Sequence, residues 1–487
     1  MNTPLRKVAI GVMVMIVALM GNATYVQVIK ADQLRNDPRN SRVLLDEYSR
    51  ERGQITSFDG QILAISNPSD DRFKFQREYP EDPKAFAPVT GFYSIQYGSS
   101  GLERAEDGIL AGSDNRLFGR RFIDMLQGRD PRGGNVVTTI NPTLQKIAYE
   151  QLTSRGYTGS VVALEPSTGK ILALVSTPSY NPSSLASHNA TETTDAWSQL
   201  ANDPTRPLAN RAVNELYPPG SIFKIITSAA ALEHGFTPAS QVTGAASITL
   251  PGTNTPLPNY GDQSCSGGAK TVTLTVAFAN SCNTAFAEVA QQIGEDAFRS
   301  KAEEFGLDKK PSNIPLSVAE SELGDIPDEP ALMQSAIGQK DVKITPLEGA
   351  IMAATVANGG VRMRPQLVAG LQGPDRSTVW AMDPESQGEA MSPSTAQQIT
   401  QMMIESEKHS GGGYIGGAQV ASKTGTADAY TSPNPFCWYV AFAPATNPKI
   451  AIAVMVENGG GIGPGAVGAT VAAPTARAVM AAALQGS

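Results

Sequence analysis

From Val8 to Ile29 the chain carries no charged residue, and within that run "VAIGVMVMIVALMGNA" is almost wholly apolar. A helix of ~20 such residues crosses the hydrocarbon core of a bilayer, so the chain is expected to be tied to a membrane at its N-terminal end. Arg6 and Lys7 precede the run. By the positive-inside rule residues 1–7 then stay in the cytoplasm and the bulk lies outside: one pass, with the remainder extracytoplasmic. "GNATY" places small residues near the end of the run, and a cleaved signal peptide is the alternative. An apolar run beyond the ~7–15 residues of a signal h-region favours an uncleaved anchor over residues 8–29.

The remaining length, in a chain of 487 residues, suffices for more than one domain. With 41% hydrophobic and 17% charged residues the composition is that of a folded protein, which excludes wholesale disorder. A net charge of −8 with no long basic run argues against nucleic acid as a partner. Cys265, Cys282 and Cys437 form no CxxC pair, and His188, His234 and His409 are scattered. No metal site is therefore expected. In an exported protein a Cys265–Cys282 disulfide is allowed, with unpaired buried thiols as the alternative.

Residues 30–135 are rich in arginine and aspartate and weakly periodic, and read as a small N-terminal non-catalytic domain ending in the Pro/Gly linker "GRDPRGGN", Gly128 to Asn135. Residues 136–487 have a different texture. "TTINPTLQKIAYEQLTSRG" predicts a short strand, then a helix with Pro142 in its first turn. "GSVVALEPSTGKILALVS" predicts a β-hairpin. Ile222, Phe223, Ile225, Ile226, Ala229, Ala230 and Leu232 predict a largely buried helix whose first turn carries Ser221 and Lys224. "VASKTGTA", "CWYVAFAP" and "KIAIAVMVEN" predict three strands, and "ATVAAPTARAVMAAALQ" a closing helix. Strands at both ends of the region and helices between them imply a sheet flanked by helices, an α/β or α+β layout.

In "LYPPGSIFK" a serine is followed one helical turn later by a lysine. A serine hydroxyl is a poor nucleophile until a base removes its proton. Lysine serves as that base if burial or a second cation keeps it neutral. Residues i and i+3 share a helix face, and a helix N-terminus brings N–H groups toward a developing oxyanion. The spacing alone is weak, because Ser167 to Lys170 repeats it in a hairpin turn, and a helix N-cap with an incidental lysine fits Ser221 equally. "NSCNTAF" adds Ser281 and Asn283, and "SKTGT" adds Lys423, Thr424, Gly425 and Thr426 on a predicted strand. SxN recurs elsewhere in the chain, but only here does it fall between SxxK and the single KTG. SxxK, SxN and KTG in that order form a serine acyl-transfer set.

With these motifs the chain resembles the class B penicillin-binding proteins, monofunctional D,D-transpeptidases that cross-link peptidoglycan, and among them the actinobacterial PbpA type. The resemblance also rests on "RGQI" with "DGQILA", "TTINPTLQ", "ALEPSTGKILALVS", "NRAVNELYPPGSIFK", "IGQKDVKITPLEGA" and "YVAFAPATNPKIAIAVMVEN". It implies a transpeptidase domain of the penicillin-binding and serine β-lactamase kind, with a central antiparallel sheet flanked by helices, preceded by a pedestal or dimerisation-like domain. It implies Ser221 as the acylated nucleophile, Lys224 as its proton acceptor, Ser281 as proton relay, and Asn283 as a contact to the donor amide and to Lys224. Lys423 would supply positive charge and, with Thr424 and Thr426, receive the terminal carboxylate of the stem peptide. Backbone N–H groups of Ser221 and Thr426 would form the oxyanion hole, and Gly425 would let substrate approach the strand. No cofactor is implied. The implied partners are stem peptides ending in D-Ala-D-Ala, β-lactams, the membrane, and division or elongation proteins including a glycosyltransferase. A Cys265–Cys282 bond would tie the SxN loop to the preceding segment.

Two other classes remain as alternatives: a D,D-carboxypeptidase or β-lactamase, in which water resolves the acyl-enzyme, and a sensor or division scaffold whose pocket binds without turnover. "GPGAVG", Gly463 to Gly468, fits a dinucleotide-binding pattern. The short remainder after it carries no acidic residue to hold a ribose, so it reads as a loop bordering the cleft.

Overall fold

The computed structural model describes residues 3–30, 48–117, 132–311, 314–429 and 432–485. Residues 128–131 of the expected linker lie outside the described residues. Helix α1, Thr3–Thr24, continues through a π turn over Tyr25–Ile29, and none of its residues is buried by the rest of the protein. Its 27 residues are long and apolar enough to cross a membrane.

Strands β1 (Ile55–Thr56), β2 (Ile62–Pro68) and β3 (Phe75–Glu78) come next, then helix α2 (Pro83–Thr90). β4 (Asn135–Thr138) leads into α3 (Pro142–Thr153). Pro142 opens α3 as expected, and the Asn141 side chain caps it by accepting from the Thr143 and Leu144 N–H groups. The predicted hairpin is β5 (Gly159–Leu164) with β6 (Ile171–Thr177). Helix α4 (Lys224–Glu233) is preceded by a 3-10 turn over Gly220–Phe223, so Ser221 lies on that tighter turn and not in the α-helix itself. There follow α5 (Asn283–Ile293), α6 (Pro346–Ala357), β7 (Val368–Gln372), β8 (Thr378–Ala381) and α7 (Pro393–His409). β9 (Ala421–Ala429), β10 (Ser432–Ala443), β11 (Ile450–Val456) and α8 (Ala473–Gln485) complete the order.

The central sheet has the order β9-β10-β11-β5-β6 and is antiparallel throughout. Both of its faces are buried. On β10, Trp438, Val440 and Phe442 point into one core, while Cys437, Tyr439 and Ala441 point into another with α3 and α8. That is why these strands read as near-continuous apolar runs instead of alternating ones. Helix α6 is buried on almost every side, as a helix apolar all round must be.

A second, six-stranded sheet has the order β8-β7-β4-β1-β2-β3. It joins strands of residues 55–78 to β4 and to β7 and β8, so it runs across the expected boundary at residue 135. β1 pairs in parallel with β4, Ile55 opposite Val136, and β4 pairs antiparallel with β7. No sequence signal marked β7 and β8 as members of the N-terminal lobe, because the pairing spans more than two hundred residues of chain.

Candidate active site

The turn carrying Ser221 is built by close backbone contacts. Gly220 has φ +54°, and its N–H donates to the Gly338 carbonyl at 2.9 Å. A Cβ on Gly338 would lie 2.1 Å from the Gly220 oxygen, and one on Gly220 would lie 2.6 Å from the Thr426 oxygen. Both positions therefore require glycine. Upstream, Tyr217 and Ile344 exchange two backbone hydrogen bonds of 2.9 Å, and the Trp438 indole N–H donates to the Pro218 carbonyl at 2.9 Å. Arg211 and the Tyr217 hydroxyl both donate to Glu457 Oε1, each at 2.8 Å.

Lys224 is fully buried directly below the serine. Its Nζ lies 2.9 Å from Ser221 Oγ, 2.7 Å from the Ser281 carbonyl oxygen, 2.8 Å from Asn283 Oδ1 and 3.4 Å from Ser281 Oγ. Lys423, also fully buried, places its Nζ 2.9 Å from Ser281 Oγ and 3.0 Å from the Thr424 carbonyl. The structure thus brings Ser221, Lys224, Ser281, Asn283 and Lys423 into one hydrogen-bonded cluster. Ser281 adopts φ +59°, a left-handed conformation uncommon for a residue with a side chain. Its carbonyl and hydroxyl both reach Lys224.

Among the described residues no carboxylate pairs with either lysine. Burial, and then the charge of Lys423, hold Lys224 well below the usual lysine range. Burial brings Lys423 down to about 7. Desolvation, not the neighbouring charge, is thus the larger cause, and Phe286 and Phe278 supply apolar walls 5.7 and 5.6 Å from the two amines. A neutral amine has two N–H bonds and one lone pair. With the Ser281 carbonyl and Asn283 Oδ1 taking both N–H bonds of Lys224, its lone pair is left facing Ser221 Oγ.

Thr424 and Thr426 are half-buried on β9, an edge strand that among the described residues pairs only with β10. Their edge can take an added extended peptide. Gly425 lies between them, and a Cβ there would meet the Pro219 carbonyl at 2.8 Å and Ile222 Cγ2 at 3.0 Å. The structure accordingly gives Gly425 a reason internal to the protein: it lets the serine turn pack on the strand. Cys282, between Ser281 and Asn283, is bonded to Cys265, and Asn280 Nδ2 donates to the Cys265 carbonyl at 2.7 Å. Asn283 is further oriented by its Nδ2, which donates to the Pro258 carbonyl at 3.1 Å.

The second SxxK, Ser167 to Lys170, lies on the turn between β5 and β6, where Lys170 pairs with Glu165 at 3.5 Å. Gly468, the last residue of "GPGAVG", packs beside the catalytic strands: a Cβ there would lie 2.0 Å from the Trp438 oxygen and 2.7 Å from the Gly425 oxygen. Short-range pattern missed Arg211, Tyr217, Gly338 and Glu457, none of which sits in a recognisable spacing with the motif residues.

Comparison with known proteins shows the family. Residues 159–481 match the penicillin-binding protein transpeptidase domain, and residues 52–136 match the penicillin-binding protein A dimerisation domain. The chain belongs to the penicillin-binding protein transpeptidase family. It is 55% identical to the peptidoglycan D,D-transpeptidase PbpA of Mycobacterium tuberculosis over 100% of both chains. The ceftriaxone acyl-enzyme complex of penicillin-binding protein A from M. tuberculosis superposes with a TM-score of 0.87 at 53% identity, covering 91% of this chain and 100% of that one. The penicillin G acyl-enzyme complex of the same protein gives a TM-score of 0.86 at 53% identity, covering 90% and 100%.

Proposed function

We propose that this chain is a serine D,D-transpeptidase that cross-links peptidoglycan stem peptides and is acylated by β-lactams. The observation that carries the reading is Lys224 Nζ, 2.9 Å from Ser221 Oγ and held by the Ser281 carbonyl and Asn283 Oδ1, in a buried position that lowers its pKa well below the usual lysine range.

Ser221 Oγ attacks the carbonyl carbon of the donor's penultimate D-alanine while its proton passes to Lys224 Nζ. N–H groups of Ser221 and Thr426 hold the oxyanion. As the tetrahedral carbon collapses, the C–N bond breaks. The departing amine of the terminal D-alanine takes the Ser281 hydroxyl proton, which Lys224 replaces. Lys423, Thr424 and Thr426 receive the donor's terminal carboxylate, and Asn283 orients its amide. An amine of a neighbouring strand then attacks the ester, loses a proton to the same base, and Ser221 Oγ leaves with a proton. In a β-lactam the leaving nitrogen stays tethered, so the ester persists.

Helix α1 supports a single-pass anchor with the remainder outside, and the lobe containing residues 52–136 is the surface on which a glycosyltransferase or other division proteins would dock.

Intact mass spectrometry of the full chain in detergent with benzylpenicillin, beside Ser221→Ala, tests the reading. A stable adduct of one penicillin on the wild type and none on the variant is expected. Penicillin destroyed without an adduct would make the protein a hydrolase, and penicillin left intact by folded protein would make it a non-reacting sensor or scaffold.

A further inference from the structure

Glu407, near the C-terminal end of α7, is fully buried behind β9. Its Oε1 accepts from Arg477 Nε at 3.0 Å and Nη2 at 2.8 Å. Its Oε2 accepts from the Tyr439 hydroxyl at 2.7 Å and from the Ser422 hydroxyl. Four donors thus saturate a buried carboxylate, which burial would otherwise leave very costly. Those donors belong to three elements: the edge strand β9, its neighbour β10 and the closing helix α8. Gly412 completes the enclosure, since a Cβ there would fall 1.7 Å from Glu407 Oε1.

Ser422 directly precedes Lys423, and its side chain leaves β9 on the face opposite to that of Lys423. Among the described residues β9 has a sheet neighbour on one side only. Ladder hydrogen bonds to β10 hold one edge of β9 and the serine turn packs on it at Gly425 and Thr426, which leaves its twist at Ser422 free on the face toward α7. The Glu407–Ser422 bond restrains that freedom one residue from the amine that must sit 2.9 Å from Ser281 Oγ.

We infer that Glu407, acting through Ser422, is a positioning residue for acyl transfer: it fixes the twist of β9 and thereby the placement of Lys423, Thr424 and Thr426. The inference rests on the transpeptidase reading above. Displacements of ~1 Å at a reacting centre cost up to ~100-fold in rate, so loss of this restraint should be visible in acylation kinetics without unfolding the protein.

The test uses the full chain in detergent and the second-order rate of acylation by benzylpenicillin between pH 5 and 9. Ser422→Ala is expected to slow acylation about tenfold and to move the pH limb set by Lys423. Ser422→Thr, which keeps the hydroxyl, restores the rate. Tyr439→Phe removes the donor that the same carboxylate takes from β10, opposite Thr424, but keeps the Glu407–Ser422 bond, and leaves the rate within about twofold. Glu407→Gln should slow acylation at least as much as Ser422→Ala. Acylation of Ser422→Ala at the wild-type rate with an unmoved pH profile overturns the inference. So does a loss in Tyr439→Phe equal to that in Ser422→Ala, since the carboxylate would then serve stability alone. Failure of wild-type protein to be acylated overturns the transpeptidase reading instead.

Discussion

At the scale of single residues, Lys224 and Lys423 need opposite protonation states. Lys224 must be neutral to accept the Ser221 proton, whereas Lys423 must carry one to attract a carboxylate. As pH falls, Lys224 gains a proton and its lone pair is lost, so acylation declines on the acid side. As pH rises through about 7, Lys423 loses its proton and recognition of a carboxylate weakens. The second-order rate of acylation by benzylpenicillin should therefore be bell-shaped, with its alkaline limb beginning near neutrality. Lys423→Met should abolish that limb and lower the maximum by ~100-fold or more. Stopped-flow acylation across pH checks both, and a rate that is flat from pH 6 to 9 would refute these roles. The same shift carries a stability sign. The folded pKa lies below the unfolded one, so between about 7 and the ordinary lysine value the unfolded chain holds a proton that the folded chain does not. Stability from this residue therefore rises with pH across that window.

Between elements, glycine decides how closely the serine turn approaches its neighbours. Gly338 combines φ +74° with a Cβ position 2.1 Å from the Gly220 carbonyl oxygen. Gly338→Ala is expected to cost more than the ~1–2 kcal/mol of a left-handed alanine, because backbone must move as well, and to slow acylation at least tenfold by displacing Ser221. Gly156 has a similar φ of +67° but open space around its Cβ position. Gly156→Ala should show the conformational cost alone and leave acylation unchanged. Denaturant unfolding and penicillin acylation of the two variants separate these effects. Equal losses of activity in both would show that the close approach is not what holds the turn.

Across the whole molecule, the six-stranded sheet ties the N-terminal lobe to residues of the catalytic region, and a buried charge cluster locks that lobe. Glu103 is fully buried and accepts from Arg52 Nε and Arg77 Nε, each at 2.7 Å, and from the Tyr79 hydroxyl at 3.2 Å. Burial alone would push its carboxyl up, but the charges of Arg77 and then Arg52 hold it below the usual carboxylate range. Glu103→Gln leaves the buried Arg77 guanidinium facing a neutral amide, with Asp107 still pairing Arg52 at 2.6 Å, and is expected to cost ~3–5 kcal/mol. Because the lobes share a sheet, tryptophan fluorescence and penicillin labelling should fail together at the same lowered temperature. Labelling that survives above the fluorescence midpoint would show lobes that unfold independently.

Much of this was legible in the chain because the physics is local. An uncharged apolar run determines a helix that suits a membrane. Apolar runs bounded by turn residues mark four strands of the catalytic sheet, the strand carrying the KTG motif is the fifth, and Pro142 marks a helix start. The three short motifs delivered five side chains of the cluster, since each motif keeps its residues on one turn or one strand. What only the tertiary structure decided is what meets across long stretches of chain. Ser281 between two buried amines, Glu407 behind Ser422, Gly338 under Gly220, and β7 beside β4 depend on how separate elements pack. Arg52 in "RGQI" becomes the partner of Glu103 only in the fold. The lysines show the division most directly. Their spacing from the serines is written in the sequence, but the low pKa values their roles require come from burial against Phe278 and Phe286, which exists only once the helices and sheet have closed over them.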